Sequence, residues 1–360
     1  MLKILVVGLG AIGQRHVRNL RALLGSEVDI LAYRVRGLPH VVTPSLDAVP
    51  GSSVEAEYDI RVFASLEDAL AQEPAIAFIC NPTSLHVPVA LRCVRAGCDL
   101  FIEKPLSHDL AGLPELMDEV QQQRRIVMVG YQLRFHPCLR ALEQLVGERS
   151  FGSPLSVRAV VGEYLPGWHP YEDYRAMYAA RAELGGGVIL TQIHEFDYLH
   201  ALFGLPRRLF AIGGHLSHLE IDVEDLASTL MEFNVDGHIL PVHLLQDYLQ
   251  RPSSRSCEVL GSRGKVFMDL SALSLTRHDG NGAVVDTRNW AGWNRNEAYL
   301  DELHHFLDCV QTRHKPLVDL VDGIASLRMA LAARESMATG RVIELEGWEG
   351  CALGRAVNAS

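Results

Sequence analysis

The sequence has no basic excess: 33 Lys and Arg stand against 44 Asp and Glu, a net charge of −11. That excludes a general nucleic-acid surface, because nothing is left over to neutralise phosphates, though a local basic pocket for one phosphate stays open. A metal or disulfide signature is also missing. The seven cysteines are odd in number and scattered, without paired CxxC spacing; Cys93 and Cys98 are close, but no His or Cys cluster completes a zinc pattern. Reduced thiols and a cytoplasmic location are the expectation, with no metal. No run of about 18 apolar residues occurs, so no membrane helix and no membrane partner are expected. The start, MLKILVVGLGAIG, imitates a secretory signal only in outline. Three glycines interrupt its apolar run, and Arg15 and His16 stand where a small-residue cleavage site belongs. Internal repeats and low-complexity linkers are absent too.

What is present reads as a folded chain of two domains: 360 residues, 48% hydrophobic and 21% charged. Up to about residue 125, short apolar runs at 3–7, 28–33, 75–80, 100–102 and 126–129 alternate with amphipathic stretches at 14–24, 65–72, 88–96 and 112–123. Such alternation predicts an α/β domain, a parallel sheet covered on both faces, assigned to residues 1–128. The segment 38–59, rich in Pro, Ser and Val, reads as an irregular insertion. Beyond Gly130 the period changes. Alternating strands are expected at 155–164, 208–215, 224–233, 238–246, 255–261 and 264–269, joined in part by the turns VDGH and GSRG. Helices are expected at 193–203, 297–312 and 319–339. This predicts an α+β domain with a large, mostly antiparallel open sheet over 129–345, with the helix at 319–339 able to pack back on the first domain and a tail from 346.

Gly8-Leu9-Gly10-Ala11-Ile12-Gly13 follows the first strand and opens the first helix, the context that gives GxGxxG its meaning. Gly8 permits the tight turn, Gly10 lets the backbone approach a pyrophosphate, and Gly13 lets helix and strand pack closely. The helix N-terminus, with Ala11 and Ile12, then faces the anion. An acid normally ends the second strand and binds the ribose hydroxyls. Here Tyr33 and Arg34 stand there, and Asp29 lies too early. A guanidinium in place of a carboxylate points to a 2′-phosphate, hence NADP, with Arg36 able to assist and NAD left open. Another apolar strand runs straight into Glu103-Lys104-Pro105. A strand must end somewhere, and charge plus proline is a common stop. The carboxyl end of a strand is also where open α/β sheets bind ligands.

These motifs converge with CNPTSLH at 80–86, GYQLRFHP at 130–137 and GGGVILTQIHEFDYL at 185–199. Together they resemble the Gfo/Idh/MocA oxidoreductases, the relatives of glucose–fructose oxidoreductase and inositol dehydrogenase, over nearly the whole chain. The segment 168–190 looks most like a branch associated with sugar and nucleotide-sugar metabolism.

The resemblance implies that Lys104 reaches the nicotinamide and the substrate hydroxyl, that the bond to Pro105 is cis, and that Glu103 holds the loop or turns to the cofactor ribose. His194 matches the family's histidine. An imidazole titrating near neutrality can take the hydroxyl proton as hydride leaves, while the Lys104 ammonium stabilises the alkoxide. Asn81, Pro82, Thr83 and His86 are expected to border the cofactor. Arg134, grouped with them, could bind a substrate hydroxyl, carboxylate or phosphate. Trp168, His169, Tyr174, Arg175 and Gln192 complete the expected substrate wall, with Asn294 and Tyr299 as lesser candidates. The triple glycine before His194 would let backbone crowd a ligand. One departure stands out. Inositol-dehydrogenase-like members carry an aspartate three or four residues before the histidine, where this chain has Thr191 and Leu190, with Asp197 one turn later. The expected activity is hydride transfer between NADP, or NAD, and a sugar, polyol or nucleotide sugar, in a homodimer or homotetramer. A non-catalytic dinucleotide-binding regulator, or a reductase of a non-carbohydrate molecule, are the alternatives.

Overall fold

The structure, a computed structural model, describes residues 1–35, 40–43, 47–49, 51–169 and 171–347. Its first half runs β1 (Leu2–Val7), α1 (Ala11–Leu24), β2 (Val28–Tyr33), the hairpin β3 (Val41–Val42) and β4 (Ala48–Val49), α2 (Val54–Tyr58), β5 (Arg61–Phe63), α3 (Leu66–Leu70), β6 (Ile76–Ile79), α4 (His86–Arg95), β7 (Asp99–Glu103), α5 (Leu113–Gln122) and β8 (Val127–Gly130). Six strands pair in parallel in the order β5-β2-β1-β6-β7-β8. β6, β7 and β8 are buried at every residue, which is why they read as unbroken apolar runs. The chain leaves β1 for one side of the sheet and returns to β6 on the other. The crevice between the ends of β1 and β6 is therefore a topological switch point, the place for a ligand in such sheets.

The second half runs α6 (Pro137–Gly147), β9 (Pro154–Gly162), α7 (Val188–Thr191), α8 (His194–Phe203), β10 (Arg208–Gly214), β11 (Leu226–Val235), β12 (His238–Asp247), β13 (Ser254–Gly261), β14 (Gly264–Asp269), β15 (Ser274–Asp279), β16 (Val284–Asn289), α9 (Arg295–Thr312), α10 (Leu320–Thr339) and β17 (Ile343–Glu344). Nine strands form one sheet, β16-β15-β14-β13-β9-β12-β11-β10-β17, antiparallel except where β9 meets β12. Alternation decides its faces. In β11, Ala227, Thr229, Met231 and Phe233 are buried toward α8, whereas Leu230 points away from them and is exposed.

Several elements add to or differ from the sequence reading. No strand was read over 270–296, where β15 and β16 lie; SLTRHD and VVDTRN are largely polar, and β16 is the sheet's edge strand. α6 was also missed, although Pro137 opens it and His136 caps it, its Nδ1 accepting from the Cys138 N–H at 3.2 Å. α9, too, closes over the first sheet. Phe306 of α9 packs edge-on against Phe78 and Phe101, and α9 lies against α1. Only the start of α10 reaches that domain, where Gly323 meets Val129 and Leu106. The segment expected as an irregular insertion contains the β3–β4 hairpin and α2, capped by the Ser53 hydroxyl. Arg36 and the tail from residue 348 lie outside the described residues.

Candidate active site

At the switch point Gly8 has φ +92°, and a Cβ there would meet the Cys80 carbonyl oxygen at 2.8 Å. A Cβ on Gly13 would stand 2.0 Å from the Gly8 oxygen. Both are therefore glycine for close packing. Gly10 faces open space and is the N-cap of α1, with no side chain capping the first turn. Free N–H groups at Ala11, Ile12 and Gly13 beside an open floor fit a dinucleotide pyrophosphate. Asn81, Pro82 and Thr83 form the opposite lip, since a Cβ on Gly8 would also lie 2.9 Å from the Asn81 nitrogen. His86 is buried behind them, its ring nitrogens 2.8 Å from the Asn81 oxygen and 2.9 Å from the Pro105 oxygen. It braces two strand ends. Arg34 at the end of β2 is paired with Glu55 of α2, whose second oxygen accepts from the Ser53 hydroxyl at 2.9 Å. Against the opposing effect of burial, a hydrogen bond from its own backbone N–H, and then Ser53 and Arg34, hold the Glu55 carboxyl below its ordinary value.

The end of β7 carries the next part. Glu103 is buried, with Oε1 2.7 Å from His16 Nε2 on α1 and Oε2 accepting from the Lys104 N–H at 3.2 Å. It holds the loop and ties it to the helix of the glycine motif. The Lys104–Pro105 bond is cis. Lys104 leaves its own domain: Nζ donates to the Thr191 backbone oxygen at 2.8 Å, in the last turn before His194. Burial lowers its pKa to about 8, aided by Arg255 and Arg295 and opposed by Glu103.

His194 opens α8 and is 3% exposed, its Nδ1 without a partner among the described residues and its ring edge-on to Tyr131 at 5.7 Å. Burial first, and then the charge on Lys104, push it well below the usual histidine range. The expectation of an imidazole titrating near neutrality is thus corrected: its surroundings favour the neutral ring and disfavour the imidazolium. Asp197, one turn on, gives it no support. That carboxyl faces Arg134 Nη1 at 3.6 Å and the Ser326 hydroxyl at 3.5 Å, and burial raises it to about 7.

The remaining expected contacts divide. Trp168 stands edge-on to Tyr248 at 5.4 Å with its indole N–H buried and unpartnered among the described residues, so it suits a ligand wall. Tyr174 accepts the Glu220 N–H at 3.2 Å. Four residues have other work. Arg134 is turned inward to Glu143 and Asp197; Gln192 is buried and donates to the Asp247 oxygen at 2.9 Å; His169 pairs with Glu172; exposed Arg175 pairs with Asp173 and Glu220. The triple glycine crowds protein, not ligand: a Cβ on Gly185 would meet His108 and Thr83, and one on Gly186 would meet the Tyr178 oxygen at 2.3 Å. Sequence reasoning missed Arg255, which forks onto Glu195 at 2.8 and 3.0 Å, and Tyr248, whose hydroxyl lies 2.8 Å from Thr191 Oγ1. The only signal was an arginine inside a strand and a glutamate directly after His194.

A glycine-loop dinucleotide fold whose strand-end lysine reaches into the second domain, to Thr191 just before a buried histidine, fits an NAD-binding oxidoreductase. Family models described as an oxidoreductase family, NAD-binding Rossmann fold, and its C-terminal alpha/beta domain match residues 2–131 and 143–345. The chain belongs to this Gfo/Idh/MocA family and is an NAD(P)-dependent dehydrogenase. It is 27% identical to a myo-inositol 2-dehydrogenase of Thermotoga maritima, over 96% of this chain and 99% of that one. It is 26% identical to a scyllo-inositol 2-dehydrogenase (NAD(+)) of Bacillus subtilis, over 95% of both. Among solved structures, the WlbA dehydrogenase from Bordetella pertussis in complex with NADH and UDP-GlcNAcA shares the fold with a TM-score of 0.75 at 21% identity, over 95% of this chain and 98% of that one.

Proposed function

We propose that the protein oxidises, or in reverse forms, a secondary hydroxyl on a polyol, sugar or nucleotide sugar. The observation that carries this is Lys104, which reaches from the carboxyl end of β7 to the Thr191 oxygen, three residues before His194, so that its charge acts on the buried imidazole. The names of the inositol dehydrogenase relatives support the substrate class. The dinucleotide supplies the hydride acceptor. Gly8–Gly13 and Asn81–Thr83 hold its phosphates and orient it. His194, kept neutral, takes the hydroxyl proton, and the Lys104 ammonium steadies the oxygen as negative charge develops. Residues 1–128 form the cofactor unit in this reading and 129–345 the substrate unit.

For the cofactor, the absence of a strand-end acid and the presence of Arg34 favour NADP. Glu55 favours a second reading. Its charged carboxylate already holds Arg34, so a 2′-phosphate must displace it, whereas a ribose hydroxyl could donate to it. Fluorescence titration with NADPH and NADH separates the two. Glu55→Gln is expected to strengthen NADPH relative to NADH by about ten-fold, the value of one charged contact. Equal affinities, unmoved by this change and by Arg34→Ala, would show that this end of the site reads neither form.

We also propose a homo-oligomer built on the open sheet face. Ile212, Leu230, Ile239 and Leu260 are 47–66% exposed there, an apolar surface that a second copy would bury. Leu230→Glu is expected to convert the assembly to monomers in sedimentation velocity; an unchanged sedimentation coefficient would rule out this face. The described cysteines are free and buried, and among the described residues no helix is long and apolar enough to cross a membrane. The free cysteines support a reducing, cytoplasmic setting, which fractionation of cells would test.

A further inference from the structure

We propose that Tyr248 is a positioning residue: through the Thr191 side chain it fixes the backbone carbonyl on which the Lys104 ammonium rests. The inference rests on the reading of Lys104 as the site lysine and adds a residue that no motif indicated.

Lys104 and its acceptor come from different domains, so the geometry of the pair depends on what fixes Thr191. α7 is four residues long and follows Gly187, so it has little stiffness of its own. Its stiffness comes from the end of β12. Tyr248, fully buried, places its hydroxyl 2.8 Å from Thr191 Oγ1 and 3.2 Å from the Ala179 oxygen. Gln246 Nε2 donates to the Gln192 oxygen at 2.9 Å, and Gln192 Nε2 donates back to the Asp247 oxygen at 2.9 Å. Three consecutive residues, 246–248, thus grip two, 191 and 192, from both sides of the peptide that carries the acceptor. The ring of Tyr248 is held in turn by Trp168.

The chemistry follows from the type of acceptor. A carbonyl oxygen accepts only from the N–H of Lys104, so it favours the ammonium while remaining neutral. Burial, Arg255 and Arg295 oppose that charge. If Thr191 loses its anchor, the ammonium loses a contact that holds its proton, and the lysine becomes easier to deprotonate.

The chain has only four lysines, Lys3, Lys104, Lys265 and Lys315, which permits a direct test. The full-length protein would be reductively methylated with carbon-13, and the Lys104 resonance, identified by its loss in Lys104→Arg, followed against pH. Its midpoint is expected near 8 in the parent. Tyr248→Phe, which keeps the ring, and Thr191→Val should each lower it by about half a pH unit, a roughly three-fold change in proton affinity. Thr191→Ser, which keeps the hydroxyl, should restore it. A kcat loss of about ten-fold with unchanged NADH affinity should accompany the first two. The NMR readout needs no turnover, so it stands even if no hydroxyl substrate is ever found. If Tyr248→Phe does not fold, the comparison of Thr191→Val with Thr191→Ser decides. A Lys104 midpoint unmoved in Tyr248→Phe or Thr191→Val, or shifted equally in Thr191→Ser, overturns the proposal.

Discussion

Lys104→Ala is expected to reduce turnover by about 10³-fold or more while leaving the fold and the affinity for the dinucleotide nearly intact. The size follows from what is removed. A charge fixed beside a developing alkoxide in a site largely closed to water is among the larger single contributions an enzyme makes. The fold should survive because Nζ hydrogen-bonds one group among the described residues, the Thr191 oxygen, and β7 is held by strand pairing and by Glu103. The parent should show the same charge in its pH profile. Lys104 carries its proton below about pH 8 and loses it above. Rate in the hydroxyl-oxidising direction should therefore fall as pH rises through about 8. His194 is depressed well below the ordinary histidine value, so oxidation should not decline on the acid side until below pH 6.5. In the reducing direction the imidazole must first gain a proton, and acid should help. Steady-state kcat/KM across pH, with cofactor titration and a thermal melt on the variant, tests all of this. Turnover retained in Lys104→Ala would reduce Glu103-Lys104-Pro105 to a strand end and bring the non-catalytic regulator forward.

The parts of this site that were legible are those whose chemistry is local. Gly8 and Gly13 answer to contacts within one strand–turn–helix, and Lys104 to the end of one strand, so a short window carries the constraint. The fold was legible for a related reason: apolar runs buried on both faces, as in β6 and β7, and alternation, as in β11, each have a period that a sequence displays. β15 and β16 escaped because their polar residues, at and next to the sheet's edge, mask that period. What stayed hidden is the set of partners supplied from far along the chain. Thr191 was visible as a departure, but its role depends on Tyr248, and that of Arg34 on Glu55. Arg134 and Gln192 sit in the expected neighbourhood yet face inward. Side-chain direction is decided by packing, which no short motif states.

Arg255→Ala is the substitution expected to cost the fold most, about 3–5 kcal/mol and a Tm loss on the order of 10 °C. Glu195 is fully buried on α8 and both of its oxygens are bound by the Arg255 fork, at 2.8 and 3.0 Å. Removing the guanidinium strands a carboxylate away from water, and protonating it recovers only part of the loss. Replacing both partners, as Arg255→Leu with Glu195→Leu, should recover most of the stability, since neither charge then needs desolvating. The double variant should differ in the site. Arg255 is one of the charges that lower Lys104 and His194. Without it the Lys104 midpoint should rise above about 8 and the alkaline limb should move with it. Denaturant melts of the single and double variants, with the pH profile of the double, separate the two roles. An unmoved limb would leave the pair as scaffold alone, while a limb that rises in a protein of near-parent stability would show that Arg255 sets the field in which Lys104 works.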